Sequence, residues 1–158
     1  MSHSDSLLPF LVAQFELKGH PRRTEHWRLV ALASPSTIHI FEVRGNTDSY
    51  TYVPEFNFRT PLDKISSYRG GCHVGNLPEG SLQAVKEKLR EVHIVKYDLS
   101  WDCQVWVMEA IKLLKEDGYI FPHVTEGNVR LELAEDMNLW EEAEDTVDER
   151  LLADARVQ

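Results

Sequence analysis

One cysteine and two histidines stand where thiol chemistry could be assembled. Cys103 lies in "YDLSWDCQVWVMEAI" (97–111), at the start of a stretch in which Val107, Ile111 and Leu114 recur at i, i+4 and i+7. Asp98 or Ser100 is a plausible N-cap, which puts Cys103 in the first helical turn. There the unpaired backbone N–H groups and the positive end of the helix dipole favour an anion. They favour a thiolate and, during acyl transfer, an oxyanion. A nucleophilic cysteine also needs a base, and the base needs a group that orients it. His26 and His39 each sit in a strand-like stretch, and the short "SPS" turn joins the two. In such a hairpin the two imidazoles are expected side by side on one sheet face, one as base and one as orienter.

The remaining histidines carry less. His3, His20 and His123 fall in terminal or loop contexts that solvate them, and His73 and His93 suit half-buried positions. Cys72 and His73 are adjacent in a strand, so they face opposite sides and cannot cooperate directly. His26, His39 and Cys103 are also zinc-type ligands, but no fourth ligand is indicated, so a metal ranks well below thiol catalysis and no cofactor is expected.

The elements that must position these residues change in type halfway along the chain. Stretches 10–17, 26–33, 37–43, 50–58 and 67–74 alternate apolar with polar residues and are separated by turn material such as "KGHPRR" and "RGNTDS". Short connections favour an antiparallel meander. The chain then turns helical: "SLQAVKEKLREV" (81–92) puts Leu82, Val85, Leu89 and Val92 on one stripe, with Ser81 as cap, and the Cys103 helix ends near Gly118. The fold class is therefore α+β, an antiparallel sheet of about five strands packed against helices.

Charge is concentrated at one end. The net charge of −9 divides into −8 over residues 124–158 and −1 over 1–123. Residues 1–123 read as one α+β domain, and 124–158 as an acidic helical extension of it, docked by Leu133, Met137 and Trp140 or frayed into solvent from Glu141. No basic face offsets this acidity, so nucleic acid and anionic membranes are poor partners, and a basic protein is a candidate partner for the tail. No apolar run approaches the ~20 residues that cross a bilayer. The first residues lack a basic n-region, and two cysteines 31 positions apart form no disulfide framework; a cytoplasmic setting is expected.

"HWRLVALASPSTIHIFEV" followed later by "WDCQVWVMEAI" resembles the circularly permuted papain-like thiol enzymes, which include lecithin retinol acyltransferase-like proteins and PPPDE peptidases. Within that group it is most similar to a set of fungal proteins of like size. The resemblance covers roughly residues 24–120 and rests on His26-Trp27, Ile38-His39-Ile40 and Cys103-x-x-Trp106-Val107 in that order. It implies a permuted papain-like fold with Cys103 as nucleophile, His26 as general base and His39 as its orienter. The backbone N–H of Cys103 would serve the oxyanion, with Gln104 lining the cleft and Trp101 near its mouth. Trp27, next to His26, is expected behind the site.

The implied activity is hydrolysis or transfer of an amide, isopeptide or ester acyl group from an acyl or peptide substrate. Asp102 departs from the family pattern, which has asparagine there. Pointing into the cleft, its carboxylate would oppose a neighbouring thiolate. The alternative is a catalytically inactive scaffold that binds a basic protein through its acidic segment.

Overall fold

The computed structural model describes residues 6–19, 23–142 and 144–157, with side chains up to residue 153; His3 and His20 lie outside these residues. Five strands, β1 (Leu7–Glu16), β2 (Glu25–Ser34), β3 (Thr37–Arg44), β4 (Thr51–Phe58) and β5 (Tyr68–Pro78), form one sheet in the order β4-β3-β2-β1-β5. Every pairing is antiparallel. The expected meander holds from β1 to β4, but β5 pairs with β1 on the far side instead of extending past β4. This places β1 and β2 in the middle, and β1 is apolar on both faces, with Phe10 to Ala13 fully buried.

Four helices are described: α1 (Leu82–Lys88), α2 (Cys103–Lys115), α3 (Glu126–Glu141) and α4 (Val147–Val157). The stripe expected over 81–92 forms as α1 between two 3₁₀ turns, and Ser81 caps nothing because its hydroxyl donates to the carbonyl of Pro78. On one face of the sheet, Phe10, Val12, Trp27, Leu29 and Phe41 meet the buried stripe Trp106, Val107, Ala110, Ile111 and Leu114 of α2. On the other, Leu11, Ala13, Val30, Ile38 and Ile40 are covered by Leu62 and by Val147, Leu151 and Leu152 of α4. Alternation along the strands assigns each residue to its face. Burial of this apolar surface is the main favourable term for the fold.

The acidic C-terminal segment is docked through its own acids. Cys72 donates its S–H to Glu132 Oε2 (2.9 Å), and burial followed by that carboxylate pushes the thiol pKa up. The backbone N–H of Gly71 donates to Asp136 Oδ2 (2.7 Å), and Val147 N donates to both Asp136 oxygens (3.1 and 3.2 Å). Gln14 Nε2 donates to the Leu133 carbonyl at 2.6 Å. Asp136 thus joins β5, α3 and the start of α4. Among the described residues no helix is long and apolar enough to cross a membrane.

Gly70 is the residue that lets α3 approach this closely. Its φ is +103°, and an added Cβ would stand 2.7 Å from Asp136 Oδ2. Gly70→Ala is expected to lower stability by about 1–3 kcal/mol through the disfavoured backbone alone, and further by displacing Asp136. Urea denaturation followed by circular dichroism measures this, and an unchanged midpoint would disprove the close-approach argument.

Candidate active site

Helix α2 begins at Cys103 because Asp102 caps it. Asp102 has an extended backbone, and its Oδ1 accepts from the N–H groups of Gln104 (3.0 Å) and Val105 (3.1 Å). The cap is one residue before the cysteine, not at Asp98 or Ser100. Asp98 instead closes its own turn by accepting from the N–H and hydroxyl of Ser100. Cys103 is consequently the first helical residue, and the cap does not engage its N–H. Asp102 is 1% exposed, and its other oxygen accepts from Arg23 Nε at 2.8 Å. Its charge is therefore directed to the helix end and to a guanidinium, which answers the concern raised by its place beside the thiol.

Two contacts bring the start of α2 to the start of β2. One is Arg23 to Asp102; the other is Gln104 Nε2, which donates to the Glu25 carbonyl at 2.9 Å. Between Arg23 and Glu25 on one side and Asp102 and Gln104 on the other, His26 lies near enough to Cys103 for the thiol to act on the ring's protonation. Its Nε2 lies 3.0 Å from Glu42 Oε1. Glu42 is fully buried; Arg28 Nε donates to Oε1 (2.9 Å) and Arg44 Nε to Oε2 (3.0 Å). Burial alone would raise the Glu42 pKa, but the His26 hydrogen bond and the charges of Arg28, His26 and Arg44 outweigh it and hold the carboxyl below its usual range. At His26 burial opposes the imidazolium. Hydrogen bonds with Cys103 and Glu42, and their charges, overcome this and raise its pKa from 6.5 to about 9.

His39 is elsewhere. Strands β2 and β3 pair Leu29 with Phe41, Val30 with Ile40 and Ala31 with His39. His26 is five positions from Ala31 along β2, roughly 17 Å at ~3.4 Å per residue, so the two imidazoles cannot adjoin. The group that lies against His26 is Glu42, not His39.

His39 makes contacts of its own with β4. Its Nδ1 accepts from the N–H of Asn57 (3.1 Å), which sits at φ +59° where the β3–β4 register shifts. Burial lowers its pKa and keeps that nitrogen an acceptor. This separation also breaks up the His26, His39 and Cys103 set considered for a metal. Among the described residues no group of three or more His, Cys, Asp or Glu side chains could hold an ion.

Gln104 is 3% exposed and committed at both ends, since its Oε1 accepts from Arg130 Nη1 at 2.8 Å while Nε2 holds Glu25. It forms part of the wall of a cavity of about 270 Å³ that Trp27 and Arg130 also line, with the guanidinium over the indole at 4.7 Å. Trp27 is in the same apolar cluster as Cys103, on the α2 side and not behind the site. Trp101 is buried edge-on against Tyr50 and borders a different cavity, of about 340 Å³. Cys103 itself is 5% exposed.

Sequence reasoning missed Glu42, Arg28, Arg44 and Arg23. Glu42 is a lone carboxylate within the apolar run "TIHIFEV", and counting strand register outward from the "SPS" turn would have set it against Arg28 and near His26. Compared with protein-family models, characterised proteins and solved structures, the chain matches none of them significantly.

Because the folded value of His26 lies above 6.5, its stabilising contribution is complete below that pH and is lost as pH rises through about 9. NMR titration of the His26 ring should give that midpoint, and Glu42→Gln should move it down. A Glu42→Gln protein with an unmoved midpoint would show that the carboxylate does not act on the ring.

Proposed function

We propose that the protein is a cysteine-dependent acyl hydrolase or transferase in which Cys103 is the nucleophile, His26 its base and Glu42 the group that orients and charges His26. The observation that carries this reading is His26 placed between a helix-start cysteine and a fully buried carboxylate. An ionised carboxylate is costly to bury unless its charge is used or matched. In a purely structural cluster Arg28 and Arg44 would suffice; turning Oε1 towards the ring that also meets the thiol is what a triad requires.

In the reaction, the proton of Cys103 rests on His26, and the Cys103 sulfur attacks the carbonyl carbon of an amide or ester. The carbonyl oxygen becomes an oxyanion beside the Cys103 N–H, at the positive end of α2. Collapse breaks the bond to nitrogen or oxygen, His26 gives its proton to the leaving group, and a Cys103 thioester remains. His26 then takes a proton from water, or from an acceptor nucleophile, as that group attacks the thioester and releases Cys103 as the thiolate. Glu42 stays ionised and stabilises the imidazolium throughout. Its lowered pKa suits this role.

The likeness to permuted papain-like enzymes supports the same assignment for Cys103 and His26. The rival reading, an inactive scaffold that recruits a basic protein through its acidic segment, is weakened because Glu132, Asp136 and Asp148 of that segment bond internally.

The test is esterase and amidase turnover, with labelling by a thiol-directed electrophile, across four variants. Cys103→Ala should abolish turnover and labelling at that residue. His26→Ala should lower turnover about 10²–10⁴-fold, and Glu42→Gln by a large part of that. His39→Gln should retain most turnover in the protein that remains folded. Equal losses from His39→Gln and Glu42→Gln would reject the triad, and an alkylation rate unchanged by His26→Ala would reject the base assignment.

A further inference from the structure

We propose that the apolar cavity flanking the start of α2 is a docking site for a peptide segment that presents an apolar side chain beside lysine or arginine. The proposal rests on the reading of Cys103 as nucleophile only in calling that segment a substrate; the binding itself does not depend on it. The cavity, of about 340 Å³, lies between one flank of α2 and the chain that leads into it. Its apolar walls are Val92 and Val95 on one side and Trp101, Val105 and Leu113 on the other. This is near the lower end of ligand-pocket sizes, about 300–1,000 Å³, and suits one or two side chains more than a cofactor. Val105 and Trp101 each stand two residues from Cys103, and Cys103 itself does not line the cavity.

Two features say what kind of occupant fits. The apolar surface continues outside the cavity along the same segment, where Tyr97 is 80% and Leu99 66% exposed. Tyr97 is held in that position at φ +62°, with its N–H on the Thr47 carbonyl (2.7 Å). Large apolar side chains presented together beside a cavity mark an interaction surface. The charged lining is acidic: Glu91 and Glu109 both border the cavity, with His93 as the remaining polar side chain. Glu109 has an exposed partner in Lys112 (3.3 Å), a weak surface pair that an incoming cation can replace. Apolar walls under carboxylates match an amphipathic cation, whose stem packs and whose charge reaches the rim. The acidic C-terminal segment, by contrast, is folded onto the sheet and leaves this the better-placed surface for a basic partner.

The experiment titrates two peptides of one length, acetyl-Ala-Lys-Leu-Lys-Ala-amide and acetyl-Ala-Glu-Leu-Glu-Ala-amide, into the full chain carrying Cys103→Ala, at low salt, with ¹H–¹⁵N NMR as readout. The lysine peptide should shift the Trp101 indole and the Val105 amide. Its affinity should fall at least tenfold in Glu91→Gln/Glu109→Gln and fall with added salt. The glutamate peptide should leave those signals in place. Failure of the lysine peptide to move Trp101 and Val105 overturns the proposal. So does equal affinity for both peptides, or unchanged affinity in the double variant. Turnover on simple esters without peptide docking would reject this site and leave the thiol chemistry intact; docking without turnover would do the reverse.

Discussion

Glu42 is a carboxylate without access to water, and much of the site follows from that condition. An ion so placed persists only if its lone pairs are met by donors and its charge by cations. Arg28 from β2, Arg44 two residues along its own strand, and His26 together meet both oxygens. The pairing register of β2 and β3 sets these groups on one face, so a slip by one residue would turn the carboxylate into the apolar cluster opposite. The tight turn between Ser34 and Thr37 is therefore as much a part of the site as the ring it positions. Removing either arginine leaves the carboxylate more dependent on the imidazolium, which couples sheet stability to the protonation of His26.

The acidic C-terminal segment carries most of the net charge, yet its helices behave as part of the domain. Three of its acids accept hydrogen bonds from the sheet or its neighbours: Glu132 from Cys72, Asp136 from Gly71, and Asp148 from the Tyr68 hydroxyl. The Tyr68 contact lies on the face covered by α4, and Glu132 and Leu133 serve the edge and the opposite face. A charge count alone describes this segment as a solvated tail. The difference lies in donors that strand β5 offers: the Cys72 thiol, the Tyr68 hydroxyl and the Gly71 backbone N–H.

Those same local facts decide how much could be read from the chain. The class of the fold, the strand-then-helix order and the cysteine at a helix start follow from apolar periodicity and turn residues, because these act within a few positions of one another. The edge position of β5 does not, since it depends on which of two strand edges is less costly to leave open. The residues alone offered two strand histidines for Cys103, and the assignment of His26 to it came from the resemblance. The choice between His39 and Glu42 was not read, although it is a matter of register: His39 is opposite Ala31, next to a bulge whose N–H at Asn57 needs an acceptor. Asp102 shows the same limit. Its type is plain in the chain, but whether it opposes the thiol or caps the helix depends on where Arg23, 79 positions away, comes to rest.

The stitches on either side of His26 have a dynamic consequence. Arg23 to Asp102 and Gln104 to the Glu25 carbonyl tie the two segments into a closed ring of backbone and side chain, with Cys103 part of it and His26 the next residue along the chain. Opening the start of β2 must release the start of α2, and the reverse. Residues 24–27 and 102–106 thus form one cooperative unit drawn from chain segments that are distant in sequence, and their amides should share a single exchange free energy instead of fraying independently as strand and helix ends usually do. Cys103 and His26 are in this sense a single element of the molecule, assembled or lost together.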